Sequence, residues 1–317
     1  MTDKSLLQEI RESLNQDHRE FVRQSLLDQH PADLGAVLDG AEPDEAHALF
    51  ELLDLPTQAQ VVSYLSPARQ IQLVATLNRP RLARLVTEMN ADERADLYHN
   101  LPDLARAELL PALAQAERED LRKLASYPEG TVGAVMTSEY ATLPGNITAR
   151  EAVERLRAQA LSKETIYIAY VLDEQRRLLG TVTLAGLVIA SPYFKVEALM
   201  HRDPVSVHAD QPQAEAARLI ADYDLLAVPV LNGGDAMVGI VTHDDAMDVA
   251  EAEATEDFHK SATISRLLGR FRDASLVTLY RKRAPWLVLL VFGNLLSGIG
   301  IAYFEDTIAA YVVLVFF

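Results

Sequence analysis

Between residues 31 and 102 turn signals recur at near-constant spacing. They are Pro31, Pro43, Pro56, Pro67, Pro80, then Ala91 in the same place, then Pro102, at intervals of 12, 13, 11, 13, 11 and 11 residues. This excludes one long helix, because proline breaks a helix interior. Proline is tolerated in the first helical turn, so each signal opens a short helix. Between the signals lie apolar residues at helical spacing, such as Val61, Val62 and Leu65, or Leu82, Leu85, Val86 and Met89. One such helix buries too little by itself. Stacked in series, the helices share a core, as in repeat arrays. Residues 1–128 are therefore expected to form an α-superhelical domain. It carries no catalytic pattern and reads as an interaction or regulatory scaffold.

Residues 129–257 change character. The runs Ile166–Leu172, Leu179–Thr183, Leu226–Leu231 and Met237–Thr242 are rich in β-branched residues, and Asn232-Gly233-Gly234 marks a hairpin. Two units repeat. Gly180-Thr-Val-Thr183 is echoed 59 residues later by Gly239-Ile-Val-Thr242, and Met136-Thr is echoed 64 residues later by Met200-His. Each unit reads strand, helix, strand, turn, strand, helix. The pair resembles tandem cystathionine-β-synthase (CBS) domains, at about 136–192 and 200–256, modules that often bind adenine nucleotides. In such modules a Gly-x-x-Thr-x-x-Asp run sets Thr and Asp against a ribose. The second unit has Gly239, Thr242 and Asp245; the first has Gly180 and Thr183, with Gly186 where Asp is wanted.

Residues 244–260 are predicted helical and strongly acidic, with Asp245, Asp248 and Glu256 within about 80° of one face and Glu253 at its edge. Like charges this close repel unless neutralised. An isolated acidic run is usually a solvated face, but here a basic segment follows. The chain holds 29 Lys and Arg against 46 Asp and Glu, a formal net charge of −17. Residues 258–317 contribute seven of the basic groups and three of the acidic ones, which leaves 22 and 43, a net −21, on residues 1–257. That surface repels nucleic acid and favours cations. With no Cys there is no thiolate metal site.

Residues 258–283 are predicted to form a basic linker helix. Trp286 to Phe304 is a run of 19 residues without charge, about 28 Å as a helix, enough to span a bilayer core. Arg281-Lys282-Arg283 before it places the N-terminal side in the cytosol, and Trp286 suits the interface. The alternative is a buried helix of a soluble domain. Residues 307–317 start a second apolar segment too short to cross, so the chain is expected to be a piece of a longer membrane protein.

Taken in order, these parts resemble the MgtE family of magnesium channels and transporters. The resemblance rests on His30-Pro-Ala-Asp-Leu34, Met89–Leu97, Tyr127–Met136, Ala221-Asp-Tyr-Asp224, Glu251-Ala-Glu-Ala-Thr-Glu-Asp257 with His259-Lys260, and Pro285-Trp-Leu287. It implies a multidomain protein: an α-superhelical N-terminal domain (1–128), an α/β CBS pair (129–257), a long linker or plug helix (258–283) and a membrane helix with the start of a second (284–317). It further implies a homodimer in the bacterial inner membrane, its N-terminal region cytoplasmic, sensing Mg²⁺ to gate a pore. The Mg²⁺-binding carboxylates it implies are Asp92, Asp96, Asp224, Asp245, Asp248, Glu253, Glu256 and Asp257. Mg²⁺ takes oxygen ligands, keeps much of its water and is held by one or two carboxylates at a time, which suits such scattered acids. Asp92 and Asp96, at i,i+4, are expected to face one partner surface.

Thr242 and Asp245 are the nucleotide candidates, but Gly186 and Leu225 stand where some members have an Asp and an aromatic, so ATP is expected to bind weakly or not at all. The pore signature, a Gly-Thr-Gly-Gly-Asn run, is absent from the sequence, so the chain is expected to sense and anchor without conducting. The rival function is a membrane-anchored CBS regulatory protein that senses an adenine nucleotide. An enzyme is not expected: no Ser/His/Asp arrangement or phosphate-cradling glycine loop stands out, and His99 and His201 read as capping or solvent-facing residues.

Overall fold

The computed structural model describes Leu26, residues 29–261, 288, 290–297, 299 and 303, with the side chains of Leu161 and 256–261 excepted. The chain forms two units, residues 1–249 and 250–317.

Among the described residues of the first unit, eight short helices come first: α1 (Pro31–Gly40), α2 (Pro43–Phe50), α3 (Leu55–Ser63), α4 (Pro67–Thr76), α5 (Arg79–Glu88), α6 (Ala91–Asn100), α7 (Asp103–Leu109) and α8 (Gln115–Leu124). The expected prolines occupy the first turn of α1 to α5, while Pro102 stands just before α7. Most of these helices pack on the next but one, as α1 on α3, α3 on α5 and α6 on α8, so the array winds as a superhelix. Short helices end often, and each end leaves carbonyls without intrahelical donors. Buried side chains fill them. Gln58 donates to the carbonyls of Phe50 and Leu53, Gln70 to Val62, Arg69 to Ala41, and Arg94 to Met89.

The CBS pair follows. Its first half is β1 (Tyr140–Leu143), α9 (Ala149–Gln159), β2 (Thr165–Leu172), β3 (Leu178–Thr183) and α10 (Leu184–Ile189). Short α11 (Val196–Leu199) and β4 (His201–Arg202) lead to β5 (Val207–His208), α12 (Gln213–Tyr223), β6 (Ala227–Leu231), β7 (Met237–Thr242) and α13 (His243–Ser261). The sheets run β1-β2-β3-β4 and β5-β6-β7.

The sequence echoes have a shared structural cause: the lead-in of each half pairs with the sheet of the other. Thr137 exchanges both backbone hydrogen bonds with Ile240 of β7, at 2.8 and 3.0 Å. His201 and Arg202 pair with Thr181 and Gly180 of β3. The crossing strand leaves no room for a side chain. A Cβ on Gly180 would lie 2.5 Å from the His201 carbonyl, and one on Gly239 would lie 2.6 Å from Met136 Sδ and 2.8 Å from the Thr137 carbonyl.

The β6–β7 turn forms where Asn232-Gly233-Gly234 predicts it, but the left-handed residue is Asp235 (φ 59°) and neither glycine. Asn232 Oδ1 holds the turn by accepting from the amides of Gly234 and Ala236. Asp173 does the same 59 residues earlier for Gln175 and Arg177, with Arg176 left-handed.

One apolar core runs from the superhelix through Leu121, Leu124, Val132 and Met136 into Val207, Ile220 and Val230 of the second CBS half. The first half has its own core around Leu143, Leu156 and Val182. Beyond Glu129 the connection is stitched to the second half: the amides of Val132 and Gly133 donate to the carbonyls of Gln211 and Ala209, and Gln213 donates to Gly130.

In the second unit, residues 250–261 complete α13 without a break at 257/258, where the linker helix was expected to begin, and residues 290–297 are helical. Residues 262–287 lie outside the described residues, as do 289, 298, 300–302 and 304 of the expected span at 286–304 and the segment 307–317. No helix among the described residues is long and apolar enough to cross a membrane.

Candidate functional site

A carboxylate-rich site forms where the first turn of α6 meets the CBS pair, all within the first unit. Asn90 precedes α6 as its N-cap residue, a position where Asn normally accepts from a backbone amide. Here it makes no such bond. Its Nδ2 donates instead to Glu164 Oε1, 3.2 Å away, just before β2. Arg94, one turn into α6, is buried, donates to the Met89 carbonyl at 2.8 Å and pairs with Glu139 at 3.4 Å. The Glu164 amide donates to the Glu139 carbonyl, which ties these two acids into one backbone frame.

Asp92 points into this site, and its Oδ1 is buried with no hydrogen-bond partner. Burial raises its pKa well above the ordinary value, and Asp245, Glu164 and Glu93 add to the rise. Glu164 Oε2 is likewise buried without a partner. Its pKa reaches about 7, first through burial and then through Asp245, Glu93, Glu139 and Asp244. Asp245, in the first turn of α13, accepts from the Thr242 hydroxyl at 2.5 Å. Burial still lifts it to about 6, with Asp244 and Asp248 contributing against that hydrogen bond. Glu93 is raised by burial and by Asp245 and Asp96, and is partly relieved by a bond from Ser63. Half-exposed Tyr64 is raised by burial and then by Glu93, Asp244 and Asp248, so it borders the same cluster.

The other predicted acids lie elsewhere or at the edge. Asp96 remains exposed by area although crowding around its carboxyl raises the pKa to about 6, with His99 opposing. Water reaches this group, so the exposure is the better guide to its energetics. Asp96 acts on Glu93 and is absent from the charges that dominate Asp92, Glu164 and Asp245. Asp224 ends α12 in the left-handed conformation (φ 51°, ψ 44°) and is exposed. Asp248 is exposed one turn after Asp245, and Glu253 is partly buried further along α13. Glu256 and Asp257 lie on the backbone of α13, but their side chains are outside the described ones. His99 donates through Nε2 to the Ala125 carbonyl, 3.2 Å away at the end of α8, and His201 is exposed in β4.

Glu93, Glu139 and Glu164 were not singled out in the sequence. A search of residue types adjacent to Asp92 would have found Glu93; Glu164 carries no local signal.

The charged groups acting on Asp92, Glu164 and Asp245 are all carboxylates. Among the described residues no three acidic or His side chains converge closely enough to hold a bare ion. Two orphaned buried carboxylate oxygens in an all-oxygen setting suit a hard cation that keeps water between itself and the protein, as Mg²⁺ does.

Residues 29–130 match the family model for the MgtE intracellular N domain, and residues 132–192 and 196–252 match the CBS domain. The magnesium transporter MgtE of Thermus thermophilus is 36% identical over 328 aligned residues, which cover 99% of this chain and 71% of that protein. The magnesium transporter MgtE of Bacillus subtilis is 39% identical over 208 residues, covering 66% of this chain and 46% of that protein. A solved cytosolic domain of the Mg²⁺ channel MgtE in complex with ATP superimposes with a TM-score of 0.73 at 35% identity, covering 77% of this chain and 99% of that one. The carboxylate site therefore lies between two modules that occur together in those transporters, and the chain belongs to the MgtE family of magnesium transporters.

Proposed function

We propose that this chain supplies the Mg²⁺-responsive regulatory part of a membrane Mg²⁺ transporter. The superhelical domain closes on the CBS pair when Mg²⁺ occupies the site between them, and α13 carries that state to the membrane segment. The observation that carries this reading is the buried, unpartnered Oδ1 of Asp92, surrounded by Glu93, Glu164 and Asp245. Without a cation, closing the domains forces carboxylates together and strips them of water. A hydrated cation bound to the closed arrangement and not to the open one shifts the balance by mass action.

The chain has no Cys, so spin labels on Gln60→Cys (α3) and Ala158→Cys (α9) report one distance across the site. In the full chain in detergent, diluted with unlabelled chain, Mg²⁺ should narrow and shorten that distance, and monovalent salt of equal ionic strength should do much less. Asp92→Asn should raise the Mg²⁺ midpoint about tenfold and Asp96→Asn about twofold or less. An unchanged midpoint in Asp92→Asn would sink the reading.

A homodimer through the CBS pair is part of the proposal. It is supported by apolar residues left exposed on that pair, such as Val188, Ile189 and Tyr193 on one half and Leu226 and Met247 on the other. Sedimentation showing only monomer at millimolar Mg²⁺ would count against it. A nucleotide-sensing role is favoured by the ATP complex of the 35%-identical neighbour and by the preformed Thr242–Asp245 pair. Against it, the Thr183 hydroxyl accepts from the Gly186 amide with no Asp at hand, and Leu225 is partly buried against the core. Weak or absent ATP binding is the expectation for this chain.

A further inference from the structure

We propose that Glu164 is a third arm of the interdomain cation site, presented by Asn90, so that one hydrated divalent cation is read at once by the superhelix through Asp92, by the first CBS half through Glu164 and by the second through Asp245. The inference rests on the Mg²⁺-responsive closure just proposed and adds to it a residue and a CBS half that the sequence did not assign.

Three observations carry it. The first is the diversion of Asn90. A side chain at the N-cap of α6 would ordinarily satisfy an amide of its own helix, yet Asn90 reaches across to Glu164 Oε1. Facing a carboxylate, its amide nitrogen must be the donor, so the assignment of its two terminal atoms is fixed by chemistry. The bond leaves Glu164 with one oxygen occupied and the other turned to the site.

The second observation is that this other oxygen, Oε2, is buried with no partner of either kind. A protonated carboxyl would place its O–H against an acceptor, and an ion pair would place a guanidinium or ammonium there; neither is found. Arg94, a nearby cation, spends Nη2 on the Met89 carbonyl and Glu139, and its buried Nε has no partner. The third observation is the matching vacancy on the facing helix: Asp92 Oδ1 is buried and unpartnered too, Asp245 stands among the charges acting on both carboxylates, and Glu164 among those acting on Asp92. Two acceptors without donors on opposite sides of a domain interface ask for one shared donor set. The coordinated waters of a hydrated divalent cation supply it, since Mg²⁺ keeps much of its water and needs few direct protein ligands.

The spin-labelled full chain tests this with Mg²⁺ alone as the probe. Glu164→Gln removes the charge and keeps the shape. It should raise the Mg²⁺ midpoint for closure by roughly five- to tenfold and, in metal-free buffer, should increase the closed population. A merely structural glutamate would not move both readouts in those directions. Asn90→Ala, which removes no cap bond, should raise the midpoint by roughly two- to threefold. The Asp92→Asn, Glu164→Gln double variant should lose less than the product of the single effects, because both act on one ion. If Asp92→Asn raises the midpoint while Glu164→Gln and Asn90→Ala leave it within twofold, Glu164 is a bystander and the inference fails with the closure reading intact. If none of the three moves it, the closure reading itself fails. Should Glu164→Gln not fold, the Asn90→Ala result decides.

Discussion

Protons should imitate Mg²⁺ at the interdomain site, and the structure sets both the sign and the size of the effect. Glu164 is lifted from 4.5 to about 7 by burial and by Asp245, Glu93, Glu139 and Asp244, and Asp245 from 3.8 to about 6 by burial, Asp244 and Asp248. The facing groups of opposite tendency are few: Asn90 donates to Glu164, Thr242 donates to Asp245, and Arg94 and Lys163 act on Glu139. Raised carboxyl values mean that the closed protein binds protons more tightly than an open one in which these groups are solvated. The stabilisation by protons is therefore complete below about pH 4 and is lost as pH rises through about 6 to 7. At 1.36 kcal/mol per pKa unit, Asp245 corresponds to about 3 kcal/mol, but much of that arises within its own CBS half. Glu164 is partly exposed, so its nominal ~3.4 kcal/mol is roughly halved for solvent screening. A closure-dependent effect of about 2 kcal/mol remains, roughly a thirtyfold change in the closed-to-open ratio. In metal-free buffer, distances between labels on Gln60→Cys and Ala158→Cys should shift toward the closed value from pH 8.5 to pH 5.5. At saturating Mg²⁺ the shift should vanish. An apo distance distribution that is flat across that range would refute the reasoning, since it would mean that the carboxylates are already solvated or already neutralised.

Three further outcomes are expected. Gly239→Ala should cost about 1–3 kcal/mol, because its methyl meets the Thr137 backbone carbonyl, which does not rotate away; Gly233→Ala, with nothing within 4 Å, should be near neutral, and calorimetric melting that ranks the two equally would contradict the crossed lead-ins. Titration calorimetry with ATP should give no binding tighter than about millimolar, and a micromolar constant, about −8 kcal/mol, would restore the nucleotide-sensing reading. Limited proteolysis of Mg²⁺-free protein should cut within 126–129 and spare 130–133, whose amides are bonded to Ala209 and Gln211; equal cutting on both sides of Gly130 would show that the hinge is longer.

The superhelix was legible because its signals are local. A proline in a first turn and apolar residues at helical spacing need no distant partner to have their effect, and α1 to α5 start where the prolines stand. The same holds for the main strands and for the β6–β7 turn. The turn's detail was not legible, since glycine is merely permissive of a left-handed residue while the Asn232 side chain dictates where that residue falls, and it falls on Asp235. The echo of Met136 by Met200 was visible as a repeat, but its cause was not. That Thr137 pairs with Ile240 depends on the chain crossing from one half to the other, over 103 positions, and no local pattern records it.

The site shows the same boundary between local and distant information. Asp92 and Asp245 stand inside recognisable runs, and the fold brings their charges together. Asp96 was paired with Asp92 because residues four apart share a helix face. Yet a face has width, and the edge of an interface falls across it: Asp92 sits inside that edge with an orphaned oxygen, Asp96 outside with water in reach. Glu164 marks the limit of sequence reading. In Ser162-Lys163-Glu164-Thr165 it looks like a solvated charge before a strand, the commonest fate of a glutamate. Only the fold sets it against Asn90 and Asp92, more than 70 positions earlier, and only the accounting of buried oxygens shows that something is wanted between them. A charge that is individually ordinary thus acquires a role from two facts of packing: a cap residue turned away from its own helix, and an acceptor closed off from water with nothing to accept.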